Sequence, residues 1–164
     1  MRILFVCTGN TCRSPMAAGI ARAVARERGL TDVVIESAGA GANPYPPGTP
    51  MPEIGASDGA LLVAMEHGVD LAEHRAQPLT REVIERADLI LAMGDRHLGR
   101  VLELGGAGKS YLLTDFASHG EHARGVADPF GGDLAAYRGT FAELEREVRR
   151  ALDRLVPSGA TGEA

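Results

Sequence analysis

Arg2-Ile3-Leu4-Phe5-Val6, continued by Cys7-Thr8-Gly9-Asn10-Thr11-Cys12-Arg13-Ser14-Pro15, is the stretch on which the fold turns. Its first five residues form a β-branched and apolar run that stops at a Gly/Asn/Thr cluster, the pattern of a strand buried on both faces. Beyond the cluster, Ser14-Pro15 offers a cap and a first-turn proline. Met16, Ile20, Ala23, Val24 and Ala25 then recur at helical spacing until Gly29. A buried strand therefore feeds a helix through a tight loop, and Cys7 opens that loop.

Working outward, Asp32 to Ser37, Asp88 to Ala92 and Ser110 to Leu113 read as further strands. Helical patterns run from Ser57 to His67, Thr80 to Arg86, Asp95 to Leu104 and Asp133 to Leu155, the last being the most regular. Strands alternating with helices predict an α/β fold built on a parallel sheet. Gly39 to Gly55 carries Pro44, Pro46, Pro47, Pro50 and Pro52, and reads as a long irregular loop of the kind that borders a site. The tail from Pro157 to Ala164 is small, polar and glycine-containing, which predicts a flexible end. No internal repeat is present, so residues 1–156 are expected to form one domain, with 157–164 as a C-terminal tail.

Composition narrows the function classes. The chain has 164 residues, of which 45% are apolar, enough for one domain with a sizeable core. Asp and Glu outnumber Lys and Arg by 22 to 17, a formal charge of -5, so no broad basic footprint for nucleic acid exists. The two cysteines are too few for a disulfide scaffold or a four-thiolate zinc site, and the five histidines form no spaced cluster with them, so no metal is expected. The apolar run after Arg2 ends too soon for a signal peptide or a membrane span. A soluble, monomeric, cytoplasmic enzyme is the expectation, with no membrane partner.

The loop carries the chemistry. A cysteine past the end of a buried parallel strand lies where open α/β sheets bind ligands. Successive backbone N–H groups of Thr8, Gly9, Asn10, Thr11, Cys12, Arg13 and Ser14 can curl round an anion. The helix dipole adds positive potential, and Gly9 supplies backbone freedom. The same donors favour sulfur as a thiolate, which makes Cys7 a nucleophile without a neighbouring histidine base. Arg13 closes the loop and can offer two parallel N–H bonds to phosphate oxygens, bonds that strengthen as charge develops in a transition state. Taken singly, a cysteine at a strand end is a small buried hydrophobe and an arginine at a helix start is solvated. Together, at this spacing and at a strand-to-helix junction, they point to a phosphate site.

The run Val6-Cys7-Thr8-Gly9-Asn10-Thr11-Cys12-Arg13-Ser14-Pro15 resembles the signature of the low-molecular-weight protein tyrosine phosphatases. Ser37-Ala38-Gly39, His74-Arg75-Ala76, Ala87-Asp88 and Asp128-Pro129 extend the likeness in order over nearly the whole chain. The resemblance implies a single domain with a four-stranded parallel sheet and helices on both faces, no cofactor, and a two-step reaction through a phosphocysteine. It also implies roles: Cys7 as nucleophile, Arg13 as phosphate clamp, Asp128 as general acid and then base, and Ser14 as the donor that helps sulfur leave. Asn10, Ser37 and His74 match the family's polar network, which with Ser14 supports the loop. Cys7 and Cys12 match a pair that forms a reversible, protective disulfide.

Within that resemblance, Thr11 stands where tyrosine-specific members commonly carry a bulky aliphatic residue, and Asp128-Pro129 is followed by Phe130-Gly131-Gly132 instead of adjacent tyrosines. These features are similar to the bacterial protein-arginine phosphatase branch. A hydroxyl residue shorter than isoleucine could leave room and a hydrogen-bond partner for a planar guanidinium. Thr11, Phe130 and Tyr45 are therefore the candidate specificity residues, and a phosphoarginine- or phosphotyrosine-bearing protein the expected partner. Thioredoxin-coupled arsenate reductases share a similar loop but relay oxidation through cysteines downstream, of which this chain has none after Cys12. A non-catalytic phosphate-binding module would have no use for both Cys7 and Asp128.

Overall fold

The computed structural model describes residues 1–41 and 54–155. Tyr45 and most of the proline-rich loop lie outside the described residues, as does the tail 157–164. Four parallel strands, β1 (Arg2–Cys7), β2 (Val34–Gly39), β3 (Leu89–Ala92) and β4 (Ser110–Leu112), form one sheet in the order β2-β1-β3-β4. Among the described residues six helices accompany them: α1 (Arg13–Glu27), α2 (Asp58–Glu66), α3 (Arg81–Arg86), α4 (Asp95–Glu103), α5 (Leu113–Ala117) and α6 (Leu134–Leu155). The expected single α/β domain with a four-stranded parallel sheet is what the chain forms.

The two-residue period of the strands distributes the core over both faces. Ile3, Phe5 and Cys7 of β1, with Leu89 and Leu91 of β3, face Met16, Ile20 and Val24 of α1 and Phe141, Leu144 and Val148 of α6. The intervening Leu4, Val6 and Ile90 pack on the opposite side with Val83 and Ile84 of α3 and Val101 of α4. A continuous apolar run in β1 is thus required, because every one of its residues from Ile3 to Cys7 is buried. Strand order reverses at β1, where β2 follows on one side and β3 on the other. The crevice beyond its carboxyl end is the switch point at which such sheets bind ligands.

Several strand boundaries depart from the sequence reading by one or two residues. The first strand keeps Cys7, whose register partner is Gly39, instead of ending at Val6. The second begins at Val34, after a turn out of α1 at 28–29 and a short irregular stretch, and ends at Gly39. The fourth strand stops at Leu112, and Leu113 starts the short helix α5, which the sequence pattern does not predict. Among the described residues no helix is long and apolar enough to cross a membrane. No group of three or more His, Cys, Asp or Glu side chains there could hold a metal ion.

Candidate active site

The loop between β1 and α1 is a cup whose shape follows from where its carbonyls go. In a planar trans peptide, C=O and the following N–H point in opposite directions. Cys7 O accepts from Ala40 N at 2.8 Å and Thr8 O from Gly41 N at 2.8 Å. Asn10 O accepts from the His74 ring at 2.7 Å, and Thr11 O from Ser57 N at 2.9 Å. With these four carbonyls tied outward, the N–H groups of Thr8, Gly9, Thr11 and Cys12 face the other way, toward the centre of the loop. Among the described residues none of these amides has a protein acceptor. Helix α1 follows at once and adds its own free N-terminal amides, and no acidic side chain in its first turn offsets the dipole. Such a cup fits a tetrahedral anion.

One residue bears the strain of the curl. Asn10 has φ +59°, a left-handed conformation that asparagine tolerates better than most residues. It is fully buried, and its side chain explains why it can stay there. Nδ2 donates to Ser14 Oγ at 2.8 Å and to Ser37 Oγ at 2.9 Å. Oδ1 accepts from Gln77 N at 2.9 Å. Gln77 Nε2 in turn donates to the carbonyl of Ser37 at 2.8 Å. Burial pushes His74 below its ordinary value, with Arg22 and Arg75 adding to the effect and the hydrogen bond to Asn10 opposing it. Because the partner is a carbonyl, His74 Nε2 must carry the hydrogen and donate. All of Asn10, Ser14, Ser37 and His74, the set expected to support the loop, thus meet in one network.

Ser14 corrects the sequence reading of the helix start. The helix begins at Arg13, with Cys12 at the cap position and no side-chain cap. The Ser14 hydroxyl lies inside the first turn and is turned instead to Cys7 Sγ, 2.9 Å away. Since Asn10 Nδ2 donates to the same oxygen, the hydroxyl hydrogen is free to point at sulfur.

Cys7, Thr8, Gly9, Thr11, Cys12, Arg13, Asp128 and Phe130 line a single cavity of about 190 Å³. Arg13 is held there from the far side: Nη1 donates to Val126 O at 3.1 Å, and Nη2 stands 3.4 Å from Asp128 Oδ2. Its side chain is 9% exposed against 50% for Asp128, so the guanidinium is fixed in the wall while the carboxylate stays at the water-facing lip. The 126–128 segment is itself anchored, with Val126 N donating to Met93 O at 2.7 Å. Asp128 Oδ1 accepts from Phe130 N at 3.1 Å, a local turn that carries the phenyl ring out to the mouth, where it is 74% exposed.

Cys12 points away into a hydroxyl cluster. Its sulfur is 3.3 Å from Ser57 Oγ and 3.4 Å from Tyr137 OH, and Ser57 donates to the phenol at 3.2 Å. Burial, and next the contact with Cys12, holds the Tyr137 phenol protonated above its usual range, against the hydrogen bond from Ser57. Gly59 makes this approach possible, because a Cβ there would collide with the Tyr137 ring. Both cysteines are buried and free. On the other side of the cup, Thr8 Oγ1 is 2.8 Å from His97 Nε2. Burial, then the Arg13 and Arg96 charges, lowers His97 to about 4, with Asp128 pulling the other way. Nothing in the linear pattern marks Ser57, Gln77, His97 or Tyr137 as site residues. Each sits on a helix, a helix cap or a connecting segment whose contact with the loop is made only by folding.

A doubly covered parallel sheet with a cysteine at the floor of an anion cup, beside a buried arginine, defines a phosphate-loop protein of the cysteine-dependent kind. Residues 2–158 match the family described as "Low molecular weight phosphotyrosine protein phosphatase", and the chain belongs to that family. It is 38% identical over 159 residues to a protein-arginine-phosphatase of Bacillus subtilis (strain 168), covering 94% of this chain and 97% of the relative. It is also 38% identical over 145 residues to the low molecular weight protein-tyrosine-phosphatase PtpB of Staphylococcus haemolyticus, covering 88% and 92%. Among solved structures it resembles that of a YwlE arginine phosphatase, a Cys-to-Ser mutant with a phosphorylated active-site serine. The TM-score is 0.81 and the identity 36%, over 94% of this chain and 95% of that one.

Proposed function

We propose that this chain is a protein phosphatase that works through a phosphocysteine at Cys7 and that its substrate is phosphoarginine. In the first step the Cys7 sulfur attacks phosphorus from the floor of the cup, forming an S–P bond as the P–N bond to the arginine breaks. Asp128 gives a proton to the departing guanidine nitrogen. The inward amides and Arg13 hold the three equatorial oxygens, and these bonds tighten as charge builds up. In the second step Asp128 takes a proton from the water that attacks phosphorus. The S–P bond breaks, and the Ser14 hydroxyl, 2.9 Å from sulfur, stabilises the emerging thiolate.

The observation that carries the substrate reading is the make-up of the cavity wall. The Thr11 hydroxyl residue and the Asp128 carboxylate both line it. A guanidinium leaving group is planar and cationic, so a short hydroxyl side chain and a carboxylate suit it better than a bulky aliphatic wall. The likeness to a protein-arginine-phosphatase at 38% identity agrees with this reading but does not separate it from phosphotyrosine, since a tyrosine phosphatase is matched at the same identity. Phosphotyrosine is the second reading, favoured by the exposed Phe130 ring at the mouth, on which a phenol could stack. The deciding experiment compares kcat/KM on phosphoarginine and phosphotyrosine peptides of one sequence, for wild type and Thr11→Ile. Preference for phosphoarginine that Thr11→Ile weakens is the expected result; strong tyrosine preference unchanged by Thr11→Ile defeats the arginine assignment.

A further inference from the structure

We infer that His97 is a positioning residue for the phosphate loop, fixing Thr8 beside the nucleophile from helix α4. The inference rests on the phosphatase reading above. The Asn10 network holds the loop from the side of β2 and the His74 segment. On the opposite side, Thr8 is held by its carbonyl, which takes the Gly41 N–H, and by its hydroxyl, which meets His97 Nε2 at 2.8 Å. The Thr8 amide is the first of the cup, next to the sulfur, and the Thr8–Gly9 peptide carries the second. Rotation of Thr8 would swing both inward donors off the phosphate oxygens.

His97 is poorly explained as packing. It is 7% exposed, and its Nδ1 is buried with no hydrogen-bond partner among the described residues. An unpaired ring nitrogen in the interior destabilises, and an aliphatic side chain would fill the same space without it. The imidazole is also held neutral: burial dominates, the charges of Arg13 on α1 and Arg96 on α4 add to it, and Asp128 opposes. Among the described residues, the one polar contact that offsets these penalties is the contact with Thr8. The ring belongs to the third residue of α4, directly after the 93–94 turn whose Met93 carbonyl anchors Val126. The same short segment thus sets both walls of the cavity.

The test is a double-mutant cycle on turnover of an aryl phosphate, with His97→Ala, Thr8→Val and the pair. Loss of alignment of about an ångström costs roughly tenfold to a hundredfold in kcat/KM, so each single variant is expected to fall by that range. The pair is expected to fall no further than the worse single, because both remove one contact. His97→Gln, which keeps a nitrogen within reach of the hydroxyl, is expected to recover most of the loss. Calorimetric affinity for inorganic phosphate should track the same coupling without turnover. Losses that multiply in the pair, or a folded His97→Ala with wild-type kcat/KM and phosphate affinity, overturn the inference. Failure of the phosphatase reading looks different: wild type then shows no turnover that Cys7→Ser abolishes.

Discussion

Replacing Asn10 by alanine removes three side-chain hydrogen bonds, to Ser14 Oγ, Ser37 Oγ and from Gln77 N, and leaves the groups that made them in a buried setting. Each lost partner costs about 1 kcal/mol or somewhat more when the orphan is buried. Alanine at φ +59° adds about 1–2 kcal/mol of left-handed strain that asparagine largely avoids. The expected destabilisation is therefore about 4–5 kcal/mol or somewhat more, which the variant survives as a folded protein where total stability lies above the low end of the roughly 5–15 kcal/mol of such domains. Asn10→Gly loses the same three bonds but not the strain, and glycine's greater unfolded-state freedom returns part of the gain. It should be more stable than alanine by roughly 1 kcal/mol. Urea unfolding read by circular dichroism measures both differences, and phosphate binding by calorimetry should weaken in both variants. An alanine variant within about 1 kcal/mol of wild type, or a glycine variant no more stable than alanine, would refute the idea that this network holds the curl.

Two further outcomes follow from the same geometry. The folded value of His97, about 4, lies below the free value of about 6.5, so the fold favours the neutral ring. The stability this confers is complete above about pH 6.5, and is lost as pH falls toward 4; the interval is worth on the order of 3 kcal/mol. His97→Gln should show that much less loss of unfolding free energy between neutral pH and pH 4, and an identical acid profile would contradict the assignment. Asp128→Ala should lower kcat by roughly a hundredfold to a thousandfold on a poor leaving group and by much less on an activated aryl phosphate; equal losses on both would remove the proton-transfer role. The family resemblance, not the geometry, carries the remaining outcome: peroxide should inactivate the enzyme reversibly through a Cys7–Cys12 disulfide that draws Cys12 out of its contacts with Ser57 and Tyr137, so Cys12→Ser should lose recovery by thiols, and retained recovery would exclude the pairing.

The sheet and the long helices were legible because their apolar periods are unbroken. Arg2 to Val6 is short, apolar and bounded by a Gly/Asn/Thr cluster, which suits a strand buried on both faces better than a helix, and the apolar face of α6 is spaced along its whole length. The short helix α5 was not, since Leu112-Leu113 continues the apolar run of β4 and a single helical turn has too few residues to display a period. Ser14 was misread as a cap because a serine before proline suits both roles, and only the position of Cys7 Sγ decides between them. The spacing from Cys7 to Arg13 is local and was readable; the supports are not. His97 lies 89 residues from Thr8, Gln77 lies 67 from Asn10, and Tyr137 lies 125 from Cys12. At such separations no pairing signal exists in one sequence, and the resemblance supplied only the Asn10, Ser37 and His74 part.

The account stands on covalent transfer of phosphorus to the sulfur that closes β1. Mixing the enzyme with a phosphorylated substrate, quenching in acid within a turnover and mapping the peptides by mass spectrometry locates the phosphoryl group. It should sit on the peptide that carries Cys7, in amounts that rise in a variant slowed in hydrolysis and vanish in Cys7→Ala. A turning-over enzyme that yields no phosphorylated peptide, or one modified at a different side chain, would contradict the mechanism.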